Sequence, residues 1–297
     1  MSLQDTDRQR WLEMRKDGLG GSDAATIMGA NPWSTPYALF LEKVGLVDTS
    51  DQDNERMLWG RKLEGVIAAH YEEVTGRALA PGVEMVFSRE RKHLFANTDR
   101  MILPIEGRTK PGVYEGKTTS AYNLDDWRGG KIPLYYQVQT QHYIYVTETD
   151  WGSVACLVGG QQFEWSDIER NDAFLKAYVK KADEFWDRVL NNDPPEMEGH
   201  PSERRALNLL YGEDTGEVIE LPEQVQEWAD RMAEAKEREK AAKDERQSCE
   251  TLIVGAMKDA SFGRLPDGTA FKYVVERKKA HTRAAWEGRV LRKVKRF

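Results

Sequence analysis

Apolar positions along the first two-thirds of the chain switch repeatedly between a helical and a strand-like spacing. A first helix is expected over about 7–16. After the Gly18 loop come a helix near 22–29 and, beyond Asn31-Pro32-Trp33-Ser34-Thr35-Pro36, another at 37–44. Glu64 opens a helix whose apolar positions Leu63, Ile67, Tyr71 and Val74 recur at helical spacing before Gly76 ends it. Shorter runs near 83–88, 94–102 and 112–118 read as strands. A loop rich in Asp, Gly and Trp spans 120–133, and a helix starts after Pro133. Trp151 to Val158 and Gln161 to Trp165 form a hairpin pattern. A closing helix at 167–191 would turn Phe174, Tyr178, Phe185 and Val189 inward. Helices and strands in this order give an α/β (α+β) core, a mixed sheet flanked by helices.

The pattern then breaks at Asn191-Asn192-Asp193-Pro194-Pro195. This places a core at 1–195, a linker at 196–220 and an appendage at 221–297. The appendage holds a long, highly charged helix from Leu221-Pro222-Glu223 to about Lys258, with few large apolar residues in its middle. A small hairpin follows, turning at Pro266-Asp267-Gly268, and then a basic tail from Arg277 to Arg296 around Trp286. Such a tail is either solvated surface or a DNA-tethering or partner-binding arm.

Composition narrows the function classes. The two cysteines, Cys156 and Cys249, fall in an apolar strand and a helix, as buried or incidental thiols in a reducing cytoplasm. They are too few for a four-cysteine iron–sulfur site. No run is apolar enough to span a bilayer, and Met1 to Arg15 lacks a signal-peptide core, so no membrane partner is expected. The five histidines have no metal-ligand spacing, and no phosphate-loop motif is present, which argues against an ATP-driven enzyme. The formal net charge of −7 does not exclude DNA. Basic residues gather at Arg8, Arg10, Arg15, Arg61-Lys62, Arg89-Arg91-Lys92, Arg128-Lys131 and the tail, as an acidic exterior around a basic channel requires.

Candidate chemistry centres on Asp99 and Glu115-Gly116-Lys117. On a strand, Glu115 and Lys117 share a face. A neighbouring strand ending at Asp99 would set two carboxylates side by side, a pair that repels unless a divalent cation intervenes. A lysine on the same face could orient or deprotonate a water beside that cation, which is equipment for metal-assisted phosphodiester hydrolysis. Glu-x-Lys alone is also an ordinary surface pattern, so its context matters. Glu64 lies beside the apolar stripe of its helix, where a lone carboxylate would be costly without a cation. Of the glutamines at 137, 139 and 141, Gln139 is the one expected to face the site. Arg15, the Gly18-Leu19-Gly20-Gly21 backbone and a helix capped by Ser22 or Asp23 together make a phosphate nest. The Trp33 loop reads either as a packing anchor or as a wedge that meets DNA.

The ordered series Arg15…Ser22-Asp23, Trp59-Gly60-x-x-x-Glu64, Asp99, Glu115-x-Lys117 and Tyr136-x-x-Gln139-x-Gln141 resembles the lambda exonuclease / YqaJ viral recombinase family, within the restriction-endonuclease-like PD-(D/E)xK nucleases, over about residues 8–190. The resemblance implies that Asp99, Glu115 and the Gly116 carbonyl ligate magnesium, with manganese as a substitute. It implies that Lys117 handles the nucleophilic water, Glu64 assists through a water on the metal, and Gln139 fixes that water or the lysine. Arg15 and Ser22 match positions that hold a 5′-terminal phosphate. Asn97-Thr98 stands where the family has Ser-Pro, so the phosphate contact there falls to Asn97 or Thr98. The implied activity is 5′-to-3′ digestion of linear double-stranded DNA by a cytoplasmic phage or prophage homotrimer that hands single strands to an annealing protein. The alternatives are a site- or structure-specific endonuclease of the same fold, and a non-catalytic DNA-binding or assembly protein that works through its long C-terminal helix.

Overall fold

Tyr114, Tyr71 and Trp151 are large, wholly buried rings from three different segments, and they mark where a helix meets the central sheet. The protein is described here from a computed structural model covering residues 15–48 and 55–275. Its sheet takes strands β1 (Leu79–Pro81), β4 (Arg100–Ile102), β5 (Gly112–Thr119), β6 (Trp151–Val158) and β7 (Gln162–Glu169), in the order β1-β4-β5-β6-β7. Only β5 and β6 run parallel; the other neighbours are antiparallel, so the sheet is mixed as expected. Strands β2 (Val86–Phe87) and β3 (Phe95–Ala96) form a separate two-stranded ladder.

Helices cover both faces. On one lie α1 (Gly21–Ile27), α2 (Pro36–Lys43), α4 (Leu134–Thr147) and α5 (Asp172–Asn191), around Leu19, Phe40, Leu94, Ile144 and Tyr178. Helix α5 presents Leu175, Tyr178, Val179, Ala182 and Phe185 inward at helical spacing. Burying side chains of this size contributes about 1.5–3 kcal/mol each. Helix α3 (Glu55–Thr75) covers the other face through Ile67, Ala68 and Tyr71. Its carboxyl end is tied across the sheet: Arg77 forks onto Asp167 at 2.7 and 2.9 Å and lies over the rings of Trp151 and Trp165.

Five details differ from the sequence reading. The run 94–102 is not one strand, because the chain bends between β3 and β4. Residues 167–169 extend β7 rather than open α5, and β1 is an additional strand. Glu64 lies midway along α3, not at its start. Residues 196–220 are not simply a linker, since they contain α6 (Pro201–Leu210), whose Ser202, Glu203 and Ala206 are buried. Glu203 explains why. Its carboxylate accepts backbone N–H groups of Glu198, Gly199 and His200 and the Thr35 hydroxyl at 2.8 Å, closing the turn before α6 and pinning the cap of α2.

The chain divides into two units between Gly212 and Glu213. The second unit holds α7 (Gln224–Met257) and a hairpin of β8 (Phe262–Arg264) and β9 (Ala270–Lys272). Helix α7 buries no residue; Glu234–Arg238 and Arg246–Glu250 pair along its surface at i,i+4. Most of the expected first helix and the basic tail with Trp286 lie outside the described residues.

Candidate active site

Asp99 is positioned by a backbone clamp. Gly82 passes so close to the Thr98 carbonyl that a Cβ there would stand 1.8 Å from its oxygen. Val83 exchanges hydrogen bonds with Thr98, its N–H donating to the Thr98 hydroxyl at 3.1 Å and its carbonyl accepting the Thr98 N–H at 3.0 Å. The chain therefore turns at Asp99 before entering β4. Arg100 pairs with Tyr114 in the β4–β5 ladder, and one further step of that register sets Asp99 opposite Glu115. The Gly116 N–H donates to Asp99 Oδ2 at 2.8 Å.

Strand β5 turns Val113, Glu115 and Lys117 to the face covered by α4, and Tyr114 and Gly116 to the face covered by α3. Helix α4 places Gln139 under Glu115. The amide donates to Glu115 Oε1 at 2.7 Å and to the Tyr143 hydroxyl at 2.9 Å. The Lys117 ammonium also pairs with Glu115 Oε1 and lies 4.9 Å from the Tyr136 ring centre. The neighbouring glutamines do other work. Gln137 donates to the Ile132 carbonyl, and Gln141 bridges Glu169 and Asn171. From α3, Glu64 reaches the same corner through Arg100, which bonds Glu64 Oε1 at 3.3 Å and the Asp99 carbonyl at 2.6 Å.

The Gly18 loop is built around buried Asp23. Its carboxylate accepts the Gly20 N–H at 2.9 Å and pairs with Lys43 at 2.7 Å. Lys43 also donates to the Arg15 and Gly18 carbonyls. Asp23 rather than Ser22 thus supports the start of α1, while exposed Ser22 accepts from Arg15 at 3.1 Å. Thr98, with its hydroxyl on Val83, is buried; Asn97 beside it is half-buried.

These features are spread over residues 15–143, and residues 10–150 match the family model of the YqaJ-like viral recombinase domain. Protein YqaJ of Bacillus subtilis (strain 168) is 34% identical over 260 residues, spanning 86% of this chain and 80% of that protein. The chain belongs to the YqaJ-like viral recombinase family. Its fold is that of the alkaline exonuclease LHK-Exo from Laribacter hongkongensis. The structure of LHK-Exo with dAMP matches at a TM-score of 0.52 and 19% identity, covering 62% of this chain and 94% of that one. LHK-Exo alone matches at 0.51 and 17%, covering 68% and 99%.

Electrostatics in this YqaJ-like site favour a cation. Burial, reinforced by the Asp99 charge, pushes Glu115 up to about 8 against the opposing ammonium of Lys117. Burial and Asp99 likewise raise Glu64. Burial pulls Lys117 down, but the Glu115 and Asp99 carboxylates more than reverse that, leaving a firmly protonated ammonium. Glu115 Oε2 is buried with no hydrogen-bond partner among the described residues. Asp99 and Glu64 both bear on Glu115 with like charge, and an orphaned buried carboxylate oxygen in that company is what a divalent cation would satisfy. Among the described residues no three His, Cys, Asp or Glu side chains stand together as a metal cage. The strand register and the Gly116 N–H set the Asp99 and Glu115 carboxylates beside one another, and such hard oxygen donors suit a divalent cation.

Sequence reasoning missed Arg100, Tyr143, Lys43 and Glu203. Arg100 had a weak signal, a cation directly after a candidate ligand. Tyr143 had one too, four residues beyond Gln139 on the same helix face; Lys43 meets Asp23, and Glu203 meets Thr35, only across long sequence separations.

Proposed function

We propose that this YqaJ-like protein is a magnesium-dependent 5′-to-3′ exonuclease acting on linear double-stranded DNA. The observation that carries the reading is the convergence of Asp99, Glu115, Lys117 and Gln139, from the bend before β4, strand β5 and helix α4, around a buried and unpartnered carboxylate oxygen. Asp99 and Glu115, with the Gly116 carbonyl, would hold the metal. When bound, magnesium supplies a Lewis acid that polarises the scissile phosphate and eases deprotonation of water. Gln139 keeps Glu115 aimed by holding Oε1. Lys117, as an ammonium, donates to the attacking water or a phosphate oxygen and offsets the negative charge of in-line displacement. Arg100 neutralises Glu64 and orients it toward the same corner. Arg15 and Ser22, already in contact, receive the 5′-terminal phosphate, and Asn97 contacts the backbone beside Asp99.

In this reading the protein works in the host cytoplasm as a phage or prophage enzyme. It closes as a homotrimer around duplex ends and delivers single strands to an annealing protein for recombination. The first unit ends at Gly212, and 221–297 serves as an arm. The deciding experiment follows digestion of linear duplex bearing 5′-phosphate, 5′-hydroxyl or covalently closed ends, with and without magnesium. Magnesium-dependent loss of one strand from phosphorylated ends is expected. Cutting of closed circles would overturn this reading in favour of an endonuclease.

A further inference from the structure

Trp33 is 57% exposed, although its backbone is held from several sides. Its N–H donates to Asn31 Oδ1 at 2.9 Å, and Asn31 is itself bonded to Thr26 at 2.8 Å. Its carbonyl accepts from Arg205 of α6 at 3.2 Å. A loop tied this firmly ordinarily tucks its largest apolar side chain inside. Here the ring is held in place and left open to solvent. It also stands at the end of a row. Trp33 meets Tyr135 edge-on with centroids 4.6 Å apart, Tyr135 meets Tyr136 at 4.0 Å, and the Tyr136 ring lies 4.9 Å from the Lys117 ammonium. An unbroken line of aromatic rings thus runs from the candidate catalytic lysine to an exposed indole.

We infer that Trp33 is a stacking platform for a nucleobase of the DNA strand engaged at the active site. The inference rests on the nuclease reading above. Every base offers a π-face, so an aromatic platform gives grip without sequence preference. A platform on a pinned loop loses little side-chain freedom on binding. Continuity with Lys117 selects this occupant, because a strand whose phosphate lies at Lys117 would carry its neighbouring bases along the ring row.

The test pairs protein and substrate changes. Affinity of Trp33→Leu and Trp33→Phe would be measured by fluorescence anisotropy, in an Asp99→Asn background that does not cut, on DNA carrying single abasic sites placed in turn near the end. Trp33→Leu should bind intact DNA about tenfold more weakly, as expected for loss of one stacked base, and Trp33→Phe should keep most of the affinity. At one position the abasic site should weaken the Trp33 protein but leave Trp33→Leu unaffected, the non-additivity that marks direct contact. Additive losses at every position would overturn the inference. So would unchanged DNA affinity with an altered light-scattering mass, which would make Trp33 a contact between protein chains. If the unaltered protein fails to cut linear DNA with magnesium, the nuclease reading falls first. If it cuts while Trp33→Leu binds normally, only the stacking role falls.

Discussion

Glu115 concentrates the conflict of the site in one side chain. Oε1 is shared by Lys117 and Gln139, and Oε2 is buried without a partner. Removing charge without changing shape separates metal binding from folding. Asp99→Asn and Glu115→Gln should each abolish strand digestion in a gel assay while leaving DNA affinity largely intact; full activity in either would refute the assignment. Arg15→Ala should erase any preference for 5′-phosphate over 5′-hydroxyl ends, a loss on the order of 2 kcal/mol for a charge-assisted contact. His142 belongs to stability instead. Its Nε2 lies 2.7 Å from the Phe95 carbonyl, an obligate acceptor, so Nε2 carries the proton and Nδ1 accepts from the Tyr178 hydroxyl at 2.6 Å. Burial holds this imidazole down at about 4, below its ordinary 6.5. Between those values only the unfolded chain takes up the proton. Stability from this group is therefore complete above about 6.5 and declines as pH falls toward 4, by roughly 3 kcal/mol at most. Urea titrations from pH 7 to 4 should show a shallower decline for His142→Gln; equal slopes would refute it.

Among the elements, β5 and α6 show how local segments serve distant ones. Strand β5 sends an acid and a lysine to one face and a buried tyrosine to the other, so it supplies chemistry and core together. Helix α6 lies past an Asn-Asp-Pro-Pro break, yet Glu203 holds both its own turn and Thr35 of α2. Burial opposes the Glu203 charge, and the N–H donors of Glu198, Gly199 and His200 with the Thr35 hydroxyl more than compensate, holding its carboxyl below the ordinary value. Removing such an acceptor leaves the buried Thr35 hydroxyl and three backbone N–H groups of the turn without their partner. Glu203→Ala should cost about 2–4 kcal/mol in denaturant unfolding. A protein ending at Gly212 should fold and cut DNA, whereas one ending at Pro195 should be markedly less stable in thermal melts. Equal melting temperatures would show that α6 is dispensable.

At the scale of the whole molecule, acidic net charge and DNA chemistry are compatible because charge is distributed unevenly. Carboxylates crowd the site and line α7, where Lys and Arg alternate with them as solvated pairs. Closed rotational symmetry is the common solution for homo-oligomers. Light scattering should give the mass of a trimer for the full chain. A monomer mass accompanied by nicking of closed circular DNA would instead favour an endonuclease.

Period and punctuation in the sequence were enough for the mixed sheet and its flanking helices, for α4 after Pro133, for the β6–β7 hairpin and for the separate charged helix. Each follows from neighbours in the chain: alternation for strands, three-to-four spacing for helices, Pro and Gly at the breaks. The pairing of Asp99 with Glu115-x-Lys117, and the choice of Gln139 among three glutamines, were also legible, because faces of regular elements obey fixed periods. What only the tertiary structure decided lies where the partner is far along the chain. The bend that presents Asp99 comes from Gly82 and Val83 pressing on Thr98, contacts that override the strand-like run. Arg100 becomes the holder of Glu64 only once β4 lies beside α3. The buried Asp23 and Glu203 carboxylates are met across the fold by Lys43 and by the Thr35 hydroxyl. Periodicity encodes which side of an element faces inward; it carries no record of what waits there, and that encounter decides whether a buried charge is structural or reactive.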